Sequence, residues 1–293
     1  MSILYIIKTM RPKDWVKNIF VLSPLIYSQL LDDFGKVVSC LMGFVLFCLI
    51  SGCVYIINDL KDVFRDKLHP INKLRPLAAG KINKKQLFIA VSFISPISII
   101  ASYKLNFLFG IIISIYLLMN IFYSIKLKNI IILDIFIISL GYVLRVLGGG
   151  ILVDIDPSPW VVMATFFLAL FLSCSKRRGE IQLVEKNIID KTTQRKTLKK
   201  YTIELLDQYL IIMGSGAIIS YAIYTASDYT FDKFNTHNLI YTTIFVIYGI
   251  FRYYYLIMVK EIVISPNEIL FRDIPLIINL FMWIITTIVI IGV

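Results

Sequence analysis

Four residues at the end of one apolar run carry the strongest chemical signal in the chain. Asn58, Asp62 and Asp66 are spaced i, i+4 and i+8, so on a helix they share one face, and Asp59 lies beside them. Carboxylates this close repel one another unless a cation lies between them. Hard oxygen ligands of this kind suit Mg²⁺, which is usually held by one or two carboxylates together with substrate phosphates. The spacing therefore predicts a Mg²⁺-diphosphate site, with Asn58, Asp62 and Asp66 as ligands and Asp59 in support. A solvated, mixed-charge helix end is the plainer alternative. The helical period, the position just after the apolar run 41–57 and the basic residues downstream favour the site.

Cations follow at several places. His69, Lys73, Arg75 and Lys81 come directly after the acids. Arg75 precedes Pro76, which biases it towards extended backbone, and a guanidinium fork matches phosphate oxygens. Lys17, just after Trp15, either turns inward to an anion or snorkels to the interface. Tyr123, Lys126 and Lys128 could donate to and neutralise a phosphate, or form an ordinary aromatic belt with flanking lysines. Lys176, Arg177, Arg178 and Glu180 close another apolar run, where three cations make either a phosphate clamp or a favourable helix C-terminus. Asp134 and Arg145 lie in one apolar run, about three turns apart, with Gly141 and Gly148 on the same face. Asp134 could reach the acidic site. Arg145 is too deep for the metal and equally suited to binding a partner helix.

The elements that must position these groups are membrane helices. Of 293 residues 58% are hydrophobic, and the mean hydropathy is +0.80. Backbone in lipid must satisfy its own hydrogen bonds, so an all-α integral membrane protein is expected. Nine spans are predicted in one bundle, at 16–31, 37–58, 86–102, 106–124, 130–152, 159–175, 208–227, 238–258 and 270–292. Residues 1–293 then form a single domain with active-site loops at 59–85 and 176–207. With a cytoplasmic N-terminus, the outside loops hold only Lys36, Lys104 and Lys233 of the 30 Lys and Arg. That asymmetry places the C-terminus outside and the acidic site on the cytoplasmic face of the cell membrane. It also accounts for the net charge of +11 without nucleic acid. Residues 1–10 read as an interfacial helix, not a cleaved signal. Cys40, Cys48, Cys53 and Cys174 read as small buried residues. Neither His69 nor His237 has a Cys/His partner that would suggest zinc or haem.

Taken together, Asn58-Asp59-x-x-Asp62-x-x-x-Asp66 at the end of the second of nine spans resembles the first aspartate-rich motif of UbiA-type polyprenyltransferases. Two features depart from the wider family. Its second aspartate-rich motif is replaced by the basic Lys176-Arg177-Arg178-Gly179-Glu180, and its Tyr-x-x-x-Lys is shifted to Tyr123-x-x-Lys126-x-Lys128. Both departures are similar to the decaprenyl-phosphate phosphoribosyltransferase branch, as are Arg11-Pro-x-x-Trp15-x-Lys17-Asn18, Arg75-Pro76 and Asp134. That resemblance implies a Mg²⁺-dependent membrane transferase. Its donor is 5-phosphoribosyl-1-diphosphate, its acceptor a polyprenyl phosphate, and a homo-oligomer is allowed for. A role in cell-wall biosynthesis is implied only for some relatives. It further implies that Asp59, Asp62 and Asp66 are catalytic, and that Lys17, Arg75, Tyr123, Lys126, Lys128, Asp134, Lys176, Arg177, Arg178 and Glu180 bind substrate. The alternatives are transfer of a polyprenyl chain from its diphosphate to an aromatic acceptor, and a lipid transporter. A transporter would place charges at the bilayer midplane, whereas these cluster at one face.

Overall fold

The computed structural model describes residues 2–27, 29–186, 197–263 and 266–292, and among them every regular element is helical. The α-helices are α1 (Ser2–Thr9), α2 (Ser23–Ile26), α3 (Phe34–Leu68), α4 (Lys84–Leu105), α5 (Phe107–Ile125) and α6 (Leu133–Val153). They continue with α7 (Pro159–Glu185), α8 (Ile203–Ala226), α9 (Asp228–Phe234), α10 (Thr243–Met258), α11 (Pro266–Arg272) and α12 (Ile274–Ile291). Polar caps set several starts, as the orphan amides of a helix N-terminus require. Asp33 accepts from the amide of Lys36, Asn106 from Phe109 and Thr202 from Leu205, while Asn83 and Gln86 form a reciprocal capping box.

Eight described helices are long and apolar enough to cross a membrane. The expected first span, 16–31, takes a different form: a 3₁₀ helix at Pro12–Val21 and then the single turn of α2. Pro12 and Pro24 lack amides for a continuous ladder, and Lys17 and Asn18 interrupt the apolar run. Two expected loops also shorten, because helix extends into them. α3 runs on to Leu68, stopping at His69-Pro70, and α7 carries Lys176 to Glu180 within it. Lys, Arg and Glu are good helix formers, so charge alone does not end a helix. Residues 187–196 of the expected second loop lie outside the described residues.

The chain divides into two compact units. The first holds the described residues up to Pro157, with Thr197. Here α3 is central, packing on α4, α5, α6 and the 3₁₀ segment. Phe47 meets Phe109 and Tyr116 edge-on at 5.8 and 5.5 Å. α6 comes close through its glycines. A Cβ at Gly148 would stand 3.2 Å from the Phe47 ring, and one at Gly149 only 2.0 Å from the Val21 carbonyl oxygen. At the end of the unit opposite the acids, Lys36 pairs with Asp154.

Arg145 joins three elements of this unit. It donates from Nε to Asn18 Oδ1 at 2.8 Å, from Nη1 to the Gly141 carbonyl at 2.6 Å and from Nη2 to the Tyr116 hydroxyl at 3.0 Å. Asn18 in turn donates to Ser51 Oγ and Cys48 Sγ, both at 3.2 Å. Of the two roles open to Arg145, the structure shows the packing one.

The second unit runs from Ser158 to Lys186 and from Leu198 onward. α7 and α8 pair along their length, and α10 packs on α8 and α12. Phe171 and Tyr253 lie 5.4 Å apart, and Ser175 bonds the Tyr253 hydroxyl at 3.1 Å. All four cysteines are buried thiols outside any disulfide, as expected from their surroundings.

Candidate active site

The last turns of α3 present their acids to the interior of the first unit. Asp59, Asp62 and Asp66 are 2%, 7% and 1% exposed. Buried carboxylates of this kind need counter-charge, and here it comes from three directions. Arg11, at the start of the 3₁₀ segment, pairs with Asp59. Arg75 reaches from the connector after α3 to Asp59 Oδ1 at 3.2 Å and Asp66 Oδ2 at 2.6 Å. Lys128, buried in the turn between α5 and α6, donates to both oxygens of Asp62 at 2.7 and 2.9 Å and lies 3.4 Å from Asn58 Oδ1. Arg65 adds a 2.8 Å bond to Asp62, and Asn72 donates to Asp66 Oδ1 at 3.2 Å.

Local backbone explains how these cations arrive. His69 Nδ1 accepts the amides of Ile71 and Asn72, both at 3.2 Å, which turns the chain at the end of α3. A 3₁₀ turn at Asn72–Leu74 then delivers Arg75 in the extended backbone that Pro76 favours. Burial, and then the neighbouring Arg11, holds the Arg75 guanidinium below its ordinary pKa, while Asp59 and Asp66 pull the other way.

The structure thus brings Asn58, Asp59, Asp62, Asp66, Arg75 and Lys128 into one cluster. Arg11, Arg65 and Asn72 also belong to it. Neither Arg65 nor Asn72 is among the residues expected from sequence; the i+3 spacing from Asp62 could have found Arg65, Arg11 lay in the Arg-Pro-x-x-Trp pattern, and nothing marks Asn72. Lys17 pairs with Asp14 at 3.1 Å, Lys126 is exposed, Tyr123 is partly buried and Asp134 is fully buried in the first turn of α6.

Arg177, Arg178 and Glu180 belong to the second unit. Arg177, 1% exposed, bonds Glu180 at 2.9 Å. Arg178 bonds Asp207 at 2.6 Å and the Ile257 carbonyl at 3.2 Å, and Lys176 is exposed.

The fit of a divalent cation can be tested on the donors themselves. The acidic face offers hard carboxylate and amide oxygens, as Mg²⁺ requires. Among the described residues no three His, Cys, Asp or Glu side chains converge as a ready cage. Mg²⁺ rarely takes such a cage and relies on substrate oxygens and water instead. One acceptor is left over: Asp59 Oδ2 is buried without a hydrogen-bond partner. A buried carboxylate oxygen left unsatisfied, on the same helix end as Asn58, Asp62 and Asp66, suits a divalent ion.

A helical chain rich in membrane spans with a buried, cation-ringed acidic face suits a membrane transferase, and comparison with known proteins agrees. Residues 20–260 match the UbiA prenyltransferase family. The chain belongs to that family. It is similar to the decaprenyl-phosphate phosphoribosyltransferase of Mycolicibacterium smegmatis, at 31% identity over 226 residues, covering 76% of this chain and 70% of that one. The enzyme of the same name from Corynebacterium glutamicum is 30% identical over 227 residues, covering 74% and 66%. Among solved structures, a UbiA homolog from Archaeoglobus fulgidus bound to GPP and Mg²⁺ superposes with a TM-score of 0.75, covering 99% of this chain and 100% of that one, at 19% identity. That likeness carries the fold.

Proposed function

We propose that this chain transfers the 5-phosphoribosyl group of 5-phosphoribosyl-1-diphosphate to a polyprenyl phosphate and releases diphosphate. The observation that carries the proposal is the cluster on α3, where three buried carboxylates are matched by Arg11, Arg65, Arg75 and Lys128. Cations so placed can pass from carboxylate to phosphate when metal and substrate arrive. The similarity to two enzymes named for phosphoribosyl transfer supports this donor over a prenyl diphosphate.

In this reading Asn58, Asp62 and Asp66, with the spare oxygen of Asp59, hold Mg²⁺. When bound, the ion would neutralise the diphosphate and stabilise it as a leaving group. Lys17, Arg75 and Lys126 or Lys128 neutralise phosphate charge, and Tyr123 and Asp134 complete the substrate-binding set. Lys176, Arg177 and Arg178 are assigned to the 5-phosphate or the lipid phosphate, with Glu180 holding Arg177 until substrate arrives. A phosphate there must displace Asp207 from Arg178 and Glu180 from Arg177. The bond from the anomeric carbon to the diphosphate oxygen breaks, and its electron pair leaves with diphosphate. An oxygen of the lipid phosphate, already anionic at neutral pH, forms the new bond, so no strong general base is required. The residues act by positioning and by electrostatics.

The topology belongs to the same proposal. The 3₁₀ helix at Pro12–Val21 and the turn of α2 together rise about 26 Å, and in this reading they are the broken form of the ninth crossing expected at 16–31. A cytoplasmic N-terminus, an outside C-terminus and an active site facing the cytoplasm from the cell membrane then follow. The family match from 20 to 260 runs through both compact units, which supports one functional domain.

The test uses purified protein in lipid nanodiscs with Mg²⁺, a polyprenyl phosphate and labelled phosphoribosyl diphosphate. A labelled lipid is expected. No labelled lipid, with turnover of a prenyl diphosphate onto an aromatic acceptor, would replace the donor assignment. Full activity in both Asp62→Asn and Asp66→Asn would sink the metal site.

A further inference from the structure

The outward side of the helix end that carries the acids is apolar and uncovered. At 100° per residue, Phe64 and Leu68 lie on the face of α3 opposite Asp62 and Asp66. Phe64 is 77% exposed and Leu68 72%, and the connector that follows adds Ile71 at 61% and Leu74 at 71%. Lys61, Lys67 and Lys73 are exposed among them, and none has an ion-pair partner among the described residues. A turn facing water would bury these apolar groups. Contiguous exposed apolar surface of this kind marks contact with lipid or with another protein.

Two observations select lipid. Along α3, Phe64 follows Lys36 by about eight turns, or about 42 Å, close to the ~40–45 Å of a bilayer with its head groups. With Lys36 at one boundary, Phe64 therefore falls at the other. The patch is also continuous with a membrane-facing flank. The Lys84 ammonium lies 5.3 Å above the Phe64 ring, and one turn further along α4 stands the exposed Phe88, followed by exposed Phe93. Lysines that lie over apolar surface while their charged ends reach outward suit the edge of a bilayer.

We propose that residues 64–74 form a membrane-seated strap. Phe64, Leu68, Ile71 and Leu74 insert at the head-group boundary, and Lys61, Lys67 and Lys73 engage anionic lipid head groups. The strap is tied to the acidic cluster, because Asn72 and Arg75 hold Asp66 and His69 fixes the turn between them. The lipid surface thereby has a direct mechanical connection to Asp66. This goes beyond the transfer reaction and holds for any donor.

The experiment places a nitroxide at Leu68→Cys and, separately, at Ile71→Cys, in vesicles of phosphatidylcholine with and without phosphatidylglycerol. The native cysteines are all buried, and the unsubstituted chain serves as the labelling control. Dissolved oxygen is expected to relax both labels more than an aqueous nickel chelate does. The labels should move deeper with phosphatidylglycerol, and that shift should vanish when Lys61, Lys67 and Lys73 are all changed to Gln. Stronger relaxation by the nickel chelate at both sites overturns the proposal. Shielding from both reagents overturns it too, since a protein partner would then cover the patch. A depth indifferent to lipid charge overturns the head-group assignment. None of these readouts depends on whether phosphoribosyl is the group transferred.

Discussion

Lys128 and Asp62 are both buried and paired, and Arg65 shares Asp62. Stranding a buried charge costs about 3–5 kcal/mol; with Arg65 still on Asp62 the loss of Lys128 costs less than that, and replacing both members by neutral groups costs less again. Lys128→Met should therefore lower the unfolding temperature in nanodiscs, and Asp62→Asn combined with Lys128→Met should recover part of the loss. Additive effects in that double-mutant cycle would show that the pair is not coupled. Arg145 makes a contrasting case, a cation held by an amide, a carbonyl and a hydroxyl with aromatic rings around it. Arg145→Met leaves the Asn18 oxygen without its donor and should cost about 3 kcal/mol. A thermal unfolding curve unchanged from the parent would refute the packing role. The sequence marked Arg145 as an intramembrane charge, but its partner Asn18 is 127 residues away, and no local pattern links them.

At the scale of elements, the long helices were legible because each contains an apolar run sufficient to cross a bilayer. The broken segment at Pro12–Val21 was not, since hydropathy averages over a window and takes no account of missing amides. Its position depends on α6. Gly149 admits the Val21 carbonyl where a Cβ would stand 2.0 Å away, and the obstacle is backbone that cannot rotate aside. Gly149→Ala should destabilise the fold by about 2 kcal/mol and weaken the delivery of Arg11 to Asp59. Equal stability and equal Mg²⁺ dependence in parent and variant would contradict this. The acidic face itself was legible from its spacing, because helical period places i, i+4 and i+8 together. The cations on it were only partly legible, since Arg11 and Lys128 reach it from other elements.

Across the whole molecule, the second unit is fastened by a charge pair that titrates. Asp273 caps α12 through the Leu276 amide at 3.0 Å and receives Arg252 through two bonds, at 3.1 and 2.9 Å. Hydrogen bonding from Arg252 holds the Asp273 carboxyl below its ordinary pKa. A depressed acid contributes stability that is present above its unfolded value, about 3.9, and is lost as the pH falls through its folded value. The gap in unfolding temperature between parent and Asp273→Asn should be full near neutrality and should narrow below about pH 4. A gap independent of pH would show that the charge contributes nothing.

α3 also has a consequence that depends on its length. At 35 residues it is about 52 Å long, with a salt bridge near one end and the carboxylates near the other. A rod of that length turns a change in tilt of a few degrees into a displacement of several ångström at its tip. Helices longer than the hydrocarbon layer respond to a thinner bilayer by tilting. Bilayer thickness should therefore act as a control on turnover, with an optimum in lipids of intermediate acyl length and falling rates on either side. Measuring turnover in vesicles that differ only in chain length tests this, and a flat profile would mean that α3 is held at a fixed angle by its neighbours.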